Sequence, residues 1–181
     1  MALVFQQEIA ENAVVAAAFQ IANAARTAPK ARGIDNLVIA VAYGEELEAI
    51  AQKMLSLFNE GKAPANFERD ANNLRDSQAL VLIGTRIKPI GLKACGLCGF
   101  GNCAHREEHH PDAPCMFNAH DLGLAVGSAA SKAADMRIDN RVMYSVGGAV
   151  REMGLMGADV PIIMGLPLCV ASKSPYYDRK Q

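Results

Sequence analysis

The sequence predicts an α/β or α+β fold, a small central sheet of about three strands or more flanked by helices, with a cysteine-rich loop inserted after the second strand. Three observations lead there. Apolar runs of strand length occur at 37–43, 79–85 and 160–170. Around them lie stretches whose apolar residues recur with the helical period, at 3–26, 45–58, 121–136 and 142–153. Four of the five cysteines fall between Cys95 and Cys115.

With 181 residues the chain is long enough to bury a core without staples, so it is read as a single domain over 1–181 with the inserted metal or cluster loop at 88–118. A hydrophobic content of 51% with 20% charged residues excludes a disordered chain. Lys and Arg number 18 against 19 Asp and Glu, a balance that offers neither a nucleic-acid groove nor a membrane-binding face. Small molecules and proteins are the expected partners. Apolar stretches are broken well before bilayer length and the N-terminus lacks the basic start of a signal peptide, so the cytoplasm is expected.

The elements follow in order. Ala10, Val14, Ala17, Ala18, Ile21 and Ala25 share one face of the helix predicted at 3–26, and its alanines suit either a central buried helix or the seam of a homodimer. Pro29 stops it, and Arg26, Lys30 and Arg32 fall in the short loop that follows. Three cations there either bind a phosphate group or complement the C-terminal end of the helix dipole. The run 37–43 reads as a strand buried on both faces. Leu47, Ile50, Ala51, Met54, Leu55 and Phe58 make the clearest amphipathic pattern, ended by Gly61. Residues 64–77 read as a short helix and a turn whose carboxylates, Asp70 and Asp76, are expected to be solvated.

After the strand at 79–85 and the cysteine loop, Asp121 is placed in the first turn of a helix with Leu122, Ala125, Val126, Ala129, Ala133 and Met136 inward. Asp139 or Asn140 then caps another, with Val142, Val146, Ala149, Val150 and Met153 inward and Gly147-Gly148 marking close packing or a cofactor. Pro161 and Pro167 limit the last apolar run to a strand ending at Leu166, Cys169 being core. The tail with Tyr176-Tyr177 is either a mobile terminus or a flap over a ligand or second subunit.

The loop carries the chemistry. Cys95 and Cys98 form one C-x2-C, Cys103 follows after x4 and Cys115 after x11, with Gly96, Gly99 and Gly101 between the early thiols. Glycine lets the backbone turn tightly enough for several sulfurs to face one centre. Thiolates are soft ligands that select zinc or an iron-sulfur cluster over hard cations, and in a reducing compartment such spacing favours metal over disulfide. Zinc sites usually show two separated C-x2-C knuckles. A compact run of cysteines with a distant fourth beside proline, here Pro114-Cys115, fits a 4Fe–4S cluster, and zinc stays open as the alternative. His105, His109 and His110 are expected to be exposed or outside the ligand shell.

These pieces resemble a family of uncharacterised prokaryotic proteins described as containing a ferredoxin domain. The resemblance is carried by the segment from Ala25 to Gly33 with Asp35-Asn36-Leu37, by the four cysteines, by 121–128 (DLGLAVGS), 139–144 (DNRVMY) and 165–168 (GLPL), and by Tyr177-Asp178-Arg179. It implies an iron-sulfur cluster. The order of elements is also similar to that of nitroreductase-type flavoproteins, dimers that hold FMN at the subunit seam. That resemblance implies an FMN phosphate met by Arg26, Lys30 or Arg32, and a homodimer. The chain departs from those flavoproteins in lacking their doubled-basic start and in carrying the cysteine insertion.

The expected function is therefore that of an iron-sulfur protein in electron transfer, a flavin-linked oxidoreductase if FMN also binds, working with a redox partner protein or a small-molecule substrate. A zinc-stabilised structural or interaction protein, built on Cys95, Cys98, Cys103 and Cys115, is the competing reading. No acid/base constellation names a reaction.

Overall fold

The computed structural model describes residues 2–177. Helix α1 spans Gln6–Thr27, and a 3-10 turn at Ala31–Gly33 leads into strand β1, Leu37–Tyr43. Helices α2, Glu45–Asn59, and α3, Asn66–Arg75, precede strand β2, Ala79–Thr85. The cysteine segment contains one short helix, α4, Cys103–His109, and delivers the chain to α5, Met116–Asp135. Strand β3 is the pair Asp139–Asn140, helix α6 is Tyr144–Met153, and β4 is Ile162–Cys169.

The four strands form one antiparallel sheet in the order β1-β2-β4-β3. Its register pairs Leu37 with Thr85 and Thr85 with Ile162, so the start of β1, the end of β2 and the start of β4 lie at one end of the sheet. Alternate side chains of each strand point to opposite faces. Leu80, Leu82 and Ile163 join Leu47, Ile50, Met54, Leu74, Val146 and Val150 in one apolar cluster, which places α2, α3 and α6 on that face. Ala79, Val81, Ile83, Leu166 and Leu168 join Val14, Ala18, Ile21, Leu122, Ala125 and Ala129 on the other, beneath α1 and α5. The result is a three-layer sandwich. Each fully buried Leu or Ile in it contributes about 1.5–3 kcal/mol.

Alanine at Ala18, Ala25, Ala125 and Ala129 lets α1 and α5 approach closely, and the Ser128 hydroxyl donates across to Ala24 O at 2.8 Å. On the opposite face α6 lies nearly in contact with β4. A Cβ at Gly147 would stand 1.8 Å from Ile163 O, so of the Gly147-Gly148 pair it is Gly147 that serves close packing.

Several expectations need correction. The first helix begins at Gln6, and Leu3, Val4 and Phe5 precede it, exposed. Strand β1 is an edge strand, half exposed, because β2 pairs it on one side only. Asp70 is not solvated but 3% exposed, accepting from Ser145 Oγ at 2.5 Å and from Arg69 Nε at 2.8 Å. Helix α5 starts at Met116, which puts Asp121 in its second turn. Asp139 and Asn140 pair with Cys169 and Leu168 as a strand and do not cap α6, while Val142 faces outward.

Strand β4 runs on through Pro167 to Cys169. The Gly165 N–H donates to Met143 O at 3.0 Å, so the nitrogen of Pro167, two residues on, faces the same side, beyond that bridge and outside the β2 ladder. Its missing N–H therefore costs the β2–β4 ladder nothing. Tyr176 is buried with its hydroxyl 2.8 Å from Ser77 Oγ, which anchors the described part of the tail, and Tyr177 is exposed; Asp178 and Arg179 of the predicted Tyr177-Asp178-Arg179 motif lie outside the described residues. Among the described residues no helix is long and apolar enough to cross a membrane.

Candidate metal centre and the adjoining basic loop

The cysteine segment leaves the end of β2 and runs without regular structure to α4. Its first turn is made by glycine. Gly96 and Gly99 take φ of +78° and +85°, and Gly99 N–H closes on Gly96 O at 3.0 Å, carrying Cys95 and Cys98 around a tight bend. Cys103 then opens α4, where Asn102 Oδ1 accepts from His105 N at 2.8 Å as its cap. Cys115 is the N-cap of α5. All four thiols are free; Cys95, Cys98 and Cys103 are half-buried and Cys115 is 6% exposed. His105, His109 and His110 are exposed, the first two with their rings 4.3 Å apart. Cys169 is core, and burial pushes its thiol up in pKa.

Among the described residues no three Cys, His, Asp or Glu side chains gather closely enough to hold a metal ion. Metals commonly organise their own ligands on binding, so fit is judged on the donor set and its surroundings. Both favour an anionic sulfur-ligated group. The donors are four thiols on one segment. Among the described residues, buried nitrogens without hydrogen-bond partners are Nε and Nη1 of Arg106, Nδ2 of Asn118 and Nδ2 of Asn36. Arg106 belongs to the segment itself, Asn118 lies in the first turn of α5 just after Cys115, and Asn36 O receives the segment's first amide, Arg86 N, at 3.0 Å. Donors buried without acceptors cost about 1–3 kcal/mol each, more when charged, and native proteins retain few.

The basic loop adjoins this segment. Arg32, in the left-handed region at φ 54°, donates from Nη1 to Ile90 O at 3.0 Å and to Gly91 O at 3.4 Å. An arginine in that conformation costs about 1–2 kcal/mol. Ala31 N donates to Asp121 Oδ2 at 3.0 Å, and Lys88 N donates to Asn118 Oδ1 at 3.0 Å, so loop, segment and α5 are stitched together. Arg26 donates to Asp35 Oδ2 at 2.6 Å and to Leu37 O at 3.1 Å. Partial burial pushes Asp35 up in pKa, but the Leu37 amide and the Arg26 guanidinium outweigh it and hold the carboxyl below its ordinary value. Lys30 donates from Nζ to Arg26 O at 2.5 Å and to Ala28 O at 2.9 Å, complementing the end of α1. Arg26, in the last turn of α1, and Lys30 and Arg32, in the loop that follows, are thus each engaged with the fold itself, and of the three Arg32 reaches the start of the cysteine segment.

Sequence reasoning did not find Arg106 or Asn118. The one signal was spacing: each follows a cysteine by three residues, Cys103 and Cys115, and i,i+3 positions share a helix face. Elsewhere, a groove of about 370 Å³ is lined by Phe67, Tyr144, Gly147, Gly148, Arg151 and Pro161, none of them from the cysteine or basic segments.

A family model described as "Uncharacterized protein containing a ferredoxin domain" matches residues 111–179. Over 98% of this chain and 97% of its own length, an uncharacterized protein of Archaeoglobus fulgidus is 39% identical. The chain belongs to this family. Of the four loop cysteines, Cys115 is the one inside the stretch matched by the family model. The fold is that of the nitroreductases. An FMN- and NADPH-dependent nitroreductase, NfnB, from a Sphingopyxis strain superposes with a TM-score of 0.63 at 12% identity, over 91% of this chain and 83% of that one. Nitroreductase A from Vibrio parahaemolyticus gives a TM-score of 0.56 at 10% identity, over 91% of this chain but 61% of its own length. The family member is thus shorter than some of the flavoproteins it resembles.

Proposed function

We propose that this chain is an iron-sulfur protein of electron transfer, with Cys95, Cys98, Cys103 and Cys115 as ligands of a 4Fe–4S cluster. The observation that carries this reading is the presence of four free thiols together with the unpartnered buried donors of Arg106, three residues after Cys103, and Asn118, three residues after Cys115. The ferredoxin-domain family supports it. A bound cluster supplies one-electron chemistry. The protein's part is to hold the thiolates, exclude water on the Cys115 side and leave the Cys95–Cys98 turn accessible, where Leu97 is 63% exposed and offers an apolar contact to a redox partner protein.

A flavin-linked oxidoreductase is the fuller form of this reading, favoured by the nitroreductase fold and by the direct bonds from Arg32 to the start of the cysteine segment. In it Arg26, Lys30 and Arg32 meet the phosphate of FMN, with Lys30 and Arg26 exchanging carbonyl partners for phosphate oxygens. A homodimer, a small-molecule substrate and a cytoplasmic location belong to the same proposal.

Anaerobic purification followed by iron, acid-labile sulfide and zinc analysis tests it. About four irons and four sulfides per chain are expected. About one zinc without sulfide would establish the structural zinc site instead. Yellow FMN released on denaturation, and lost from Arg32→Ala, is expected for the fuller form.

A further inference from the structure

Arg106 is a charged side chain in a place that gives it almost no counterpart. It is 2% exposed and carries a positively charged guanidinium. Its side chain donates from Nη2 to Pro111 O at 3.2 Å, while among the described residues Nε and Nη1 have no acceptor. Among the described residues no carboxylate pairs with it; its neighbours Glu107 and Glu108 are exposed. A buried unpaired charge is strongly destabilising. Asn118 repeats the pattern. It is 1% exposed, its Oδ1 is occupied by Lys88 N, and that bond turns Nδ2 into the unused end of the amide. Arg106 stands one helical turn after Cys103 on α4 and Asn118 one turn after Cys115 on α5, so each donor shares a face with a candidate ligand.

From these observations we infer that Arg106 and Asn118 donate hydrogen bonds to the sulfurs of the cluster and that Arg106 raises its reduction potential. The inference rests on the cluster reading above. A cluster held by four thiolates is anionic, which supplies the missing counter-charge for Arg106 and acceptors for Nε, Nη1 and Asn118 Nδ2. Hydrogen bonds to sulfur and local charge are among the levers that set cluster potential. Reduction takes one electron from an external donor, breaks no bond and adds one negative charge. The guanidinium stabilises the reduced form more than the oxidised one, so removing its charge makes reduction harder.

The test is a redox titration with dithionite, followed by electron paramagnetic resonance, of the anaerobically purified parent and of Arg106→Gln, Arg106→Lys and Asn118→Leu. With iron content equal to the parent, Arg106→Gln is expected to lower the reduction equilibrium constant tenfold or more, about 59 mV for one electron. Arg106→Lys keeps the charge and falls less, as does Asn118→Leu. An iron-loaded Arg106→Gln protein with the parent potential overturns this inference and leaves the cluster reading standing; a parent without iron and sulfide overturns both. Should Arg106→Gln fail to fold, the parent labelled with 15N-arginine decides. Nuclear coupling from arginine nitrogen to the reduced cluster is expected, and its absence overturns the assignment.

Discussion

All seven residues of β2 are buried, and each pairs with β1 on one side and β4 on the other. The segment that leaves it, from Arg86 to Cys115, has one short helix, three half-buried thiols and a buried fourth, and among the described residues Nε and Nη1 of the buried Arg106 have no acceptor. The first region is complete in its own terms: apolar side chains fill both faces and the backbone groups find one another. The second leaves buried donors unpartnered among the described residues. A fold whose stability resides in the sheet and its helices can carry a segment organised by a cofactor, because the core does not draw on that segment for its packing.

The contrast can be broken from the core side first. Gly147→Ala puts a methyl group against the Ile163 carbonyl and is expected to cost about 3 kcal/mol or more in urea unfolding, whereas Gly148→Ala, which meets only the yielding ring edge of Phe67 at 3.3 Å, stays within about 1 kcal/mol. Equal midpoints for the two would show that α6 is not seated on β4 as described. Ser145→Ala strips the buried Asp70 carboxylate of one donor and is expected to cost about 1.5–3 kcal/mol by the same measurement, with no change in metal content.

From the loop side, replacing Cys95, Cys98, Cys103 and Cys115 together by serine is expected to leave unfolding within about 1 kcal/mol of the cluster-free parent. Limited proteolysis of that variant should cut first between residues 86 and 115. A collapse of cooperative unfolding in it would mean that the thiols hold the core, against the division drawn here.

The smallest effect concerns pH. The carboxyl of Asp35 lies below its ordinary 3.8 when folded, so its contribution to stability is present above that value and is lost as pH falls through the folded pKa. Both partners of its bridge to Arg26 are more than a third exposed, so screening limits the gain to about 1 kcal/mol or less. Asp35→Asn should flatten the acid limb of stability by that amount; an unchanged limb would remove the bridge from the account.

How much of this was legible in the sequence follows the same division. Strands β1 and β2 stand where their apolar runs place them, since a continuous run bounded by turn residues has few other uses. Helix α2 shows its inward face through Leu47, Ile50, Ala51 and Met54. Asp70 escaped because its partner Ser145 lies 75 residues away, beyond any local pattern. Asp139 and Asn140 escaped because a two-residue strand has no period to display. Pro167 misled because a proline forbids one ladder, and the sequence does not say on which side that ladder lies. In the cysteine segment the thiols and their spacing were readable. The burial of Arg106, amid His105, Glu107, Glu108 and His109, was not, since such a run reads as a solvated face.

The loop thiols are proposed to hold iron and sulfide. Iron and acid-labile sulfide measured side by side in the anaerobic parent and in Cys98→Ser test it most directly: the account predicts about four of each per chain in the parent and a clear loss of both in the variant. A parent without iron, or a variant with the full complement, would contradict it.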